Sequence, residues 1–488
     1  MLSNKLILQQ KVLRKLLGQS KHTLFGEQFS FSEILKNPDL VTAFQKNVPI
    51  QDYAAQKIWW STCLAGASHV VSPGTINYFA LSSGTSDNAS KFIPVSDEQL
   101  AQLKRQGIKF WYHIAKNSEI PISTFLKRNL LIGGSSNLQF NGCNYTGDLS
   151  GILQHNLPFW YRNFSAPTQA SMKLNWAGKI EHIVSEAKNW NVSIITGIPS
   201  WVQLVLEKII ERYQLKNIHE LWPNLNVYIH SGIRAEPYRQ SMNRLFGKKV
   251  FWYETYLASE GFFAYQVSEN AKGMRLILND NIFFEFVPFH ENNVDATGAL
   301  KPNPQTLTID QVQEQTDYVL LLTNSSGAWR YVIGDTIRFT DNEKAEITLT
   351  GRTSHFLSVV GEHLSLDNMN QAIQHVSNIF QFDCKEFTVY AENKNGVWRH
   401  CWNIGCDVIL DAEKVKSTLD EKLKDLNDDY RTERIFALKN IEVSLLPNDM
   451  FYSFLEKRGK TGGQVKFPRV LKGAVLDDWC RYIFKASV

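Results

Sequence analysis

The chain has 488 residues, of which 43% are hydrophobic and 20% charged, the balance of a folded globular protein whose length predicts two or three domains. A net charge of +4 is too small to indicate a nucleic-acid surface, and no run reaches the ~18 apolar residues of a membrane span. Six scattered cysteines, without a Cys-x-x-Cys pair or a Cys/His spacing of zinc-site type, predict reduced thiols.

At the N-terminus, Met1 to Lys11 is an amphipathic helical pattern broken by charge. It lacks the apolar core and cleavage site of a signal peptide, so a cytoplasmic location is expected. The first third reads as helical, with Tyr53, Lys57, Trp60 and Leu64 at the three-to-four spacing of one helix face. A strand over Asn77 to Leu81 follows, and it runs into Ser82-Ser83-Gly84-Thr85-Ser86-Asp87-Asn88-Ala89-Ser90-Lys91. Hydroxyls at Ser82, Ser83, Thr85 and Ser86 beside Gly84 leave backbone N–H groups free to point at an anion and can donate to the same oxygens. Lys91 adds positive charge. Taken alone, the loop is a common serine-rich turn.

Ser96, followed by Asp97 and Glu98, opens a helix predicted to reach about Lys116. Further helical spacing covers Trp176 to Trp190. A short buried strand, Val192 to Thr196, passes through the turn Gly197-Ile198-Pro199-Ser200 into a helix carrying Trp201, Leu204, Val205 and Ile209. Strands are expected at Asn226 to His230 and Val250 to Thr255. Strands alternating with helices indicate an α/β architecture with substantially parallel pairing. From Asn279 the pattern turns strand-rich, over Asn281 to Val287, Tyr318 to Thr323, Arg330 to Ile333 and Ile347 to Thr350. Beyond Gly351-Arg352-Thr353-Ser354 a fresh α+β unit begins: a helix (Asp367 to Phe380), strands Glu386 to Ala391 and Trp402 to Leu410, a charged helix (Asp411 to Leu426) and a strand Ile441 to Leu445. The expected division is therefore 1–354 and 355–488.

Three other segments stand out. Tyr256-Leu257-Ala258-Ser259-Glu260-Gly261 follows an aromatic strand, and Trp329-Arg330-Tyr331-Val332-Ile333-Gly334-Asp335 follows a strand and turn. Gly-Asp pairs by themselves are mostly turns. Near the C-terminus stands Gln464-Val465-Lys466-Phe467-Pro468-Arg469. The neighbouring Gly459-Lys460-Thr461 is no Walker loop, because the upstream glycine is replaced by Phe454. His69, His113, His155 and His230 have no partner at metal-ligand spacing.

In this order and at these separations, the hydroxyl-rich loop, the Glu260 and Asp335 segments and the Gln-x-Lys-x-Pro-Arg sequence resemble the motifs of the auxin-responsive acyl-acid amido synthetase family, a branch of the adenylate-forming superfamily. The resemblance spans most of the chain. It implies a large N-terminal α/β domain of mixed sheets flanked by helices with a small β-rich part, followed by a smaller, mobile α+β C-terminal domain. It also implies ATP and Mg²⁺ as cofactors, and a carboxylic acid and an amino acid as partners, with no nucleic acid or membrane. The acid attacks the ATP α-phosphate to give an acyl-adenylate and pyrophosphate, and an amine then displaces AMP.

Carried onto this chain, the resemblance assigns phosphate contacts to Ser82, Ser83, Thr85 and Ser86, with Gly84 allowing close approach and Lys91 adding charge. Tyr256 is expected near the adenine, Ser259 near phosphate or the acyl group, and Glu260 at Mg²⁺. Asp335 would grip the ribose hydroxyls, Arg352 would touch ribose or phosphate, and Lys466 would swing onto the α-phosphate during adenylation. Asn88, Val332 and His363 stand where the family usually has glycine, arginine and lysine. Two alternatives stay open at this point: coenzyme A as the acceptor, or a catalytically silent protein that binds nucleotide or acyl ligand.

Overall fold

The computed structural model describes residues 3–82, 91–133, 138–156, 164–167, 174, 176–232, 235–295, 298–353, 357, 362, 364–394, 397–436, 438–459 and 467–486. Helices fill the first part of the chain as the apolar spacing predicts: Asn4–Ser20, Leu24–Gln28, Phe31–Ile34, Leu40–Asn47 and Tyr53–Leu64. Ser3 caps the first by accepting the Leu6 N–H. Trp60, on the predicted face of the Tyr53–Leu64 helix, is buried and packs against Tyr331 at 5.3 Å between ring centroids. Among the described residues no helix is long and apolar enough to cross a membrane.

An 11-stranded mixed sheet is the frame of the larger part of the molecule. Its strands lie in the order Ile282–Pro288, Asp317–Asn324, Tyr331–Asp341, Glu346–Arg352, Met274–Leu276, Gly261–Tyr265, Phe251–Ala258, Val227–Ser231, Val192–Gly197, Arg128–Ile132 and Ser165–Ala166. From Phe251–Ala258 to Ser165–Ala166 every pairing is parallel, joined by helices such as Pro199–Tyr213 and Glu236–Leu245. On the other side of Phe251–Ala258 every pairing is antiparallel. The strand-rich stretch after Asn279 is thus the antiparallel half of the same sheet. Successive residues face opposite sides: Ile195, Tyr228 and Trp252 pack in one core with Val202, Val205 and Ile209, while Ile194, Ile229 and Tyr253 enter the other with Phe110.

A smaller four-stranded sheet contains the hairpin Tyr78–Ser82 and Lys91–Val95. Ser82 pairs directly with Lys91, so the hydroxyl-rich segment is the connection of this hairpin. The chain after the large sheet forms a three-stranded sheet, Phe387–Lys394, Val397–Gly405 and Leu438–Leu446. Its core joins residues from helices Leu366–Phe380, Ala412–Leu426 and Asp428–Phe436. Thr353 still donates its N–H to Gly334 O at 2.8 Å, whereas Leu357 and Leu364, bonded to each other through their backbones, belong to this second core.

Two expectations are corrected. The strand predicted at Trp402 to Leu410 instead spans Val397–Gly405. The apolar run Val408-Ile409-Leu410 misleads, since Ile409 is fully exposed, while the polar His400 is fully buried in the strand. Its last residue, Gly405, is closely packed: a Cβ there would lie 2.7 Å from Glu386 O and 2.2 Å from Asn448 Oδ1. The second correction concerns Gly334-Asp335, expected at a tight turn after a strand ending at Ile333. The strand continues over Tyr331–Asp341, and Gly334 kinks it with a left-handed φ of 86°, open to glycine at little cost.

Candidate functional site

Glu260 occupies the turn between Phe251–Ala258 and Gly261–Tyr265, where the sheet changes from parallel to antiparallel. The turn lies at the carboxyl end of Phe251–Ala258, on the carboxyl side of the parallel strands, the side on which open α/β sheets bind ligands. The turn is held from two sides. Gln99 Nε2 donates to Ser259 O at 2.9 Å, and Gln102 Nε2 to Phe262 O at 2.8 Å. Both come from the helix Asp97–Ala115 that Ser96 caps. From the antiparallel half, Asn324 Nδ2 donates to Glu260 O at 2.7 Å. Ser326 Oγ ties the two sides together by accepting the Ser96 N–H and bonding Gln99.

Asp335 stands opposite Arg352 in the register of neighbouring strands. Its Oδ1 lies 2.9 Å from Arg352 Nε, and its Oδ2 accepts the Tyr256 hydroxyl at 2.6 Å. Arg352 Nη2 also donates to Ile333 O at 3.2 Å. The neighbouring charge of Asp335 raises the Arg352 pKa. Burial first, and Asp335 second, push the Tyr256 phenol well above its usual value. Three side chains predicted separately, Tyr256, Asp335 and Arg352, therefore form one polar cluster.

Glu260 is 6% exposed. Burial, reinforced by the charge of Asp335, pushes its carboxyl up to about 7 against the opposing pull of Arg352 and Lys91. Lys91 emerges from the hairpin beside Tyr53, its ammonium 5.1 Å from the ring centroid. Tyr53 Oη in turn accepts the Phe92 N–H at 3.0 Å. Tyr331 borders the same cluster, its phenol raised by burial and then by Glu260. Glu260, Asp335, Arg352, Lys91, Tyr256 and Tyr331 thus share one electrostatic neighbourhood.

Ser82 is described through its backbone alone, while Ser83, Gly84, Thr85, Ser86 and Lys466 lie outside the described residues, as do Asn88 and His363. Val332 is described. It faces a satellite apolar cluster with Val287, Val319 and Leu321, apart from the core that receives Tyr331 and Ile333. Arg330, quoted in the motif without a role, is a structural anchor. Its guanidinium pairs with the fully buried Glu285 at 2.9 Å and donates to Gln45 O and Val48 O at 2.7 and 2.8 Å.

Sequence reading missed Gln99, Gln102 and Asn324, which position the Glu260 turn. The available signal is Gln99, Gln102 and Gln106 at helical spacing, all nearly inaccessible. An inward stripe of amides implies buried backbone groups to satisfy.

Comparison with known proteins identifies the family. The chain matches the GH3 family N-terminal domain over residues 1–138 and 134–251, the GH3 family central domain over 275–352, and the GH3 family C-terminal domain over 367–474. It is similar to the 4-substituted benzoates-glutamate ligase GH3.12 of Arabidopsis thaliana, with 21% identity over 96% of this chain and 93% of that one. It is also similar to the indole-3-acetic acid-amido synthetase GH3.2 of the same plant, 22% identical over 88% of this chain and 90% of that one. In fold it is similar to the GH3.15 acyl acid amido synthetase, with a TM-score of 0.77 at 15% identity over 99% and 94% of the two chains. A 2-hydroxyisobutyryl-CoA ligase in the postadenylation state follows with a TM-score of 0.61 at 11% identity over 98% and 91%.

Proposed function

Because the chain belongs to the GH3 family, matched by its N-terminal, central and C-terminal domains, we propose that it adenylates a carboxylic acid with ATP and transfers the acyl group to an amino acid. It is on this reading an acid–amino acid ligase of the adenylate-forming type. The observation that carries the reading is the cluster of Tyr256, Asp335 and Arg352 beside the buried Glu260.

Each member has work that fits adenylation. A carboxylate accepts at about four lone-pair positions. Arg352 and Tyr256 engage one on each Asp335 oxygen, leaving the others to take two ribose hydroxyls. Arg352 and Tyr256 also fix the carboxylate's orientation, so the grip is formed before the nucleotide arrives. The chain's residues fit a Mg²⁺ ion held mainly by substrate: Glu260 is one buried carboxylate near a second, and among the described residues no group of three ligands gathers. Mg²⁺ commonly takes one or two carboxylates plus phosphates. When bound, it would neutralise charge on the phosphate oxygens.

The hairpin loop, with Ser82, Ser83, Gly84, Thr85 and Ser86, is assigned to the phosphates, with Lys91 at its base. Ser259 lies at the same turn as Glu260, facing phosphate or acyl group. Lys466 is assigned to the α-phosphate, where a cation stabilises charge as pyrophosphate departs. The proposed division is 1–354 for the large domain and 355–488 for a lid that rotates between the half-reactions. The proposed location is the cytoplasm.

The test is a pair of variants. Lys466→Ala slows adenylate formation about 100-fold or more and leaves ATP binding near wild type. Asp335→Ala weakens ATP binding itself. Equal adenylation by Lys466→Ala and wild type removes Lys466 from the mechanism, and unchanged ATP binding by Asp335→Ala removes the ribose assignment.

A further inference from the structure

Between the large domain and the C-terminal unit lies a polar contact that the site above does not use. Tyr238, 2% exposed on the helix Glu236–Leu245, donates its hydroxyl to Lys385 O at 2.7 Å. The Lys385 ammonium reaches Glu207, on the helix Pro199–Tyr213, at 3.2 Å. Arg244 pairs with Asp383, and Trp201 meets Tyr452 at 6.3 Å between ring centroids. On the C-terminal side, Asp383 and Lys385 lie in one short corner just before the Phe387–Lys394 strand.

This corner is tied to the lysine-bearing signature. Glu386, next to Lys385, forms a buried pair with Arg469, the last residue of Gln464 to Arg469. The Arg469 guanidinium also lies close enough to the Tyr238 hydroxyl for its charge to oppose the rise of that phenol, and it donates to Phe387 O at 3.0 Å. Its backbone O accepts the Val389 N–H at 2.9 Å, while Thr388 Oγ1 donates to Pro468 O at 2.8 Å. Phe467, the residue after Lys466, is buried among Phe451, Phe454 and Trp479. One end of the signature is therefore hydrogen-bonded to the sheet, and its arginine lies in the electrostatic neighbourhood of a tyrosine of the large domain.

A cleft of about 360 Å³ lies beside this contact, lined by Arg239, Gln240, Asn243 and Asp383 together with Ile373 and Phe382. Polar contacts between domains permit relative motion more readily than large apolar ones. Meanwhile burial and the charge of Glu386 keep the Tyr238 phenol protonated, so the donor persists across the pH range of any assay.

We infer that Tyr238 is a positioning residue: through Arg469 and Lys385 it latches the lid in the orientation that presents the signature-bearing edge to the large domain, and so favours adenylation over acyl transfer. The inference rests on the adenylating function proposed above. Breaking the latch then lowers the occupancy of one orientation without touching either set of reacting groups.

The experiment separates the two half-reactions. ATP–pyrophosphate exchange is measured with indole-3-acetate and with substituted benzoates, and amide formation from the supplied acyl-adenylates is measured with mixed amino acids. Tyr238→Phe removes only the hydroxyl and is expected to slow exchange about three- to tenfold, the worth of one or two hydrogen bonds, while amide formation stays within about twofold. Glu207→Gln, at the rim, moves exchange in the same direction by less. Equal losses in both half-reactions, or none in either, overturn the latch while the adenylating function stands. A wild-type protein with no acid-dependent exchange removes that function and the latch with it.

Discussion

Glu260 and Asp335 are neighbouring carboxylates handled in opposite ways. Asp335 is held by an arginine and a tyrosine, whereas Glu260 is buried and its carboxyl is pushed up to about 7. A group raised in the folded state contributes stability that is full at acid pH and lost as pH rises through about 7. Glu260→Gln is therefore expected to raise the melting temperature of the ligand-free protein at about pH 8 and leave it unchanged at about pH 5. Metal binding has the opposite pH sense, because Mg²⁺ competes with the proton. Its apparent affinity in the adenylation assay falls about tenfold per pH unit below about 7 and levels off above it; a flat profile would take the metal away from Glu260. Tyr256, Glu260, Asp335 and Arg352 were legible as single residues because each sits in a short motif. Gln99 and Gln102 were not, since amides on a helix usually mark its solvated face and only the fold turns them inward.

Among the elements, the strand Phe251–Ala258 matters most, being parallel to one neighbour and antiparallel to the other. That change of direction sets the Glu260 turn at the carboxyl edge of the parallel strands. The parallel half could be read from strands alternating with helices, and the antiparallel half from its run of strands. That the two halves form one sheet could not, because pairing joins residues far apart in sequence, such as Met274 with Ile347. Gly334-Asp335 was misread as a turn for a related reason: a left-handed glycine looks the same in sequence whether it ends a strand or kinks one. The strand that contains it begins just after Arg330, which pairs with Glu285, their side chains 5% and 0% exposed. Glu285→Ala leaves that guanidinium buried without its carboxylate, and a loss of about 3–5 kcal/mol in unfolding free energy is expected. Denaturant titration checks this; a loss below about 1 kcal/mol would mean that water reaches Arg330.

At the scale of the whole molecule, two bodies meet at the polar corner around Tyr238 and Lys385 and again where Arg338 lies 3.6 Å from Asp367. The larger contains the Glu260 and Asp335 cluster, and the smaller ties Pro468 and Arg469, the last residues of the signature, to its own sheet. Thr353 is still bonded to Gly334, whereas Leu357 packs in the second core, and the proposed division at 354/355 falls between them. Adenylation and acyl transfer need different groups near the same phosphate, and an enzyme that turns one body against the other supplies both from one nucleotide site. The family motifs made membership of this family readable in advance. The identities of the acid and the amine were not readable, because pocket selectivity lies in dispersed apolar side chains rather than in a motif. The most direct test is pyrophosphate release from Mg-ATP across aryl, indole and fatty carboxylic acids, with mixed amino acids or coenzyme A as acceptor and the products identified by mass spectrometry. Acid-dependent release with an acyl–amino acid amide is the predicted result. ATP binding without release on any acid, or release that ends only in a coenzyme A thioester, would contradict the assignment as an amido synthetase.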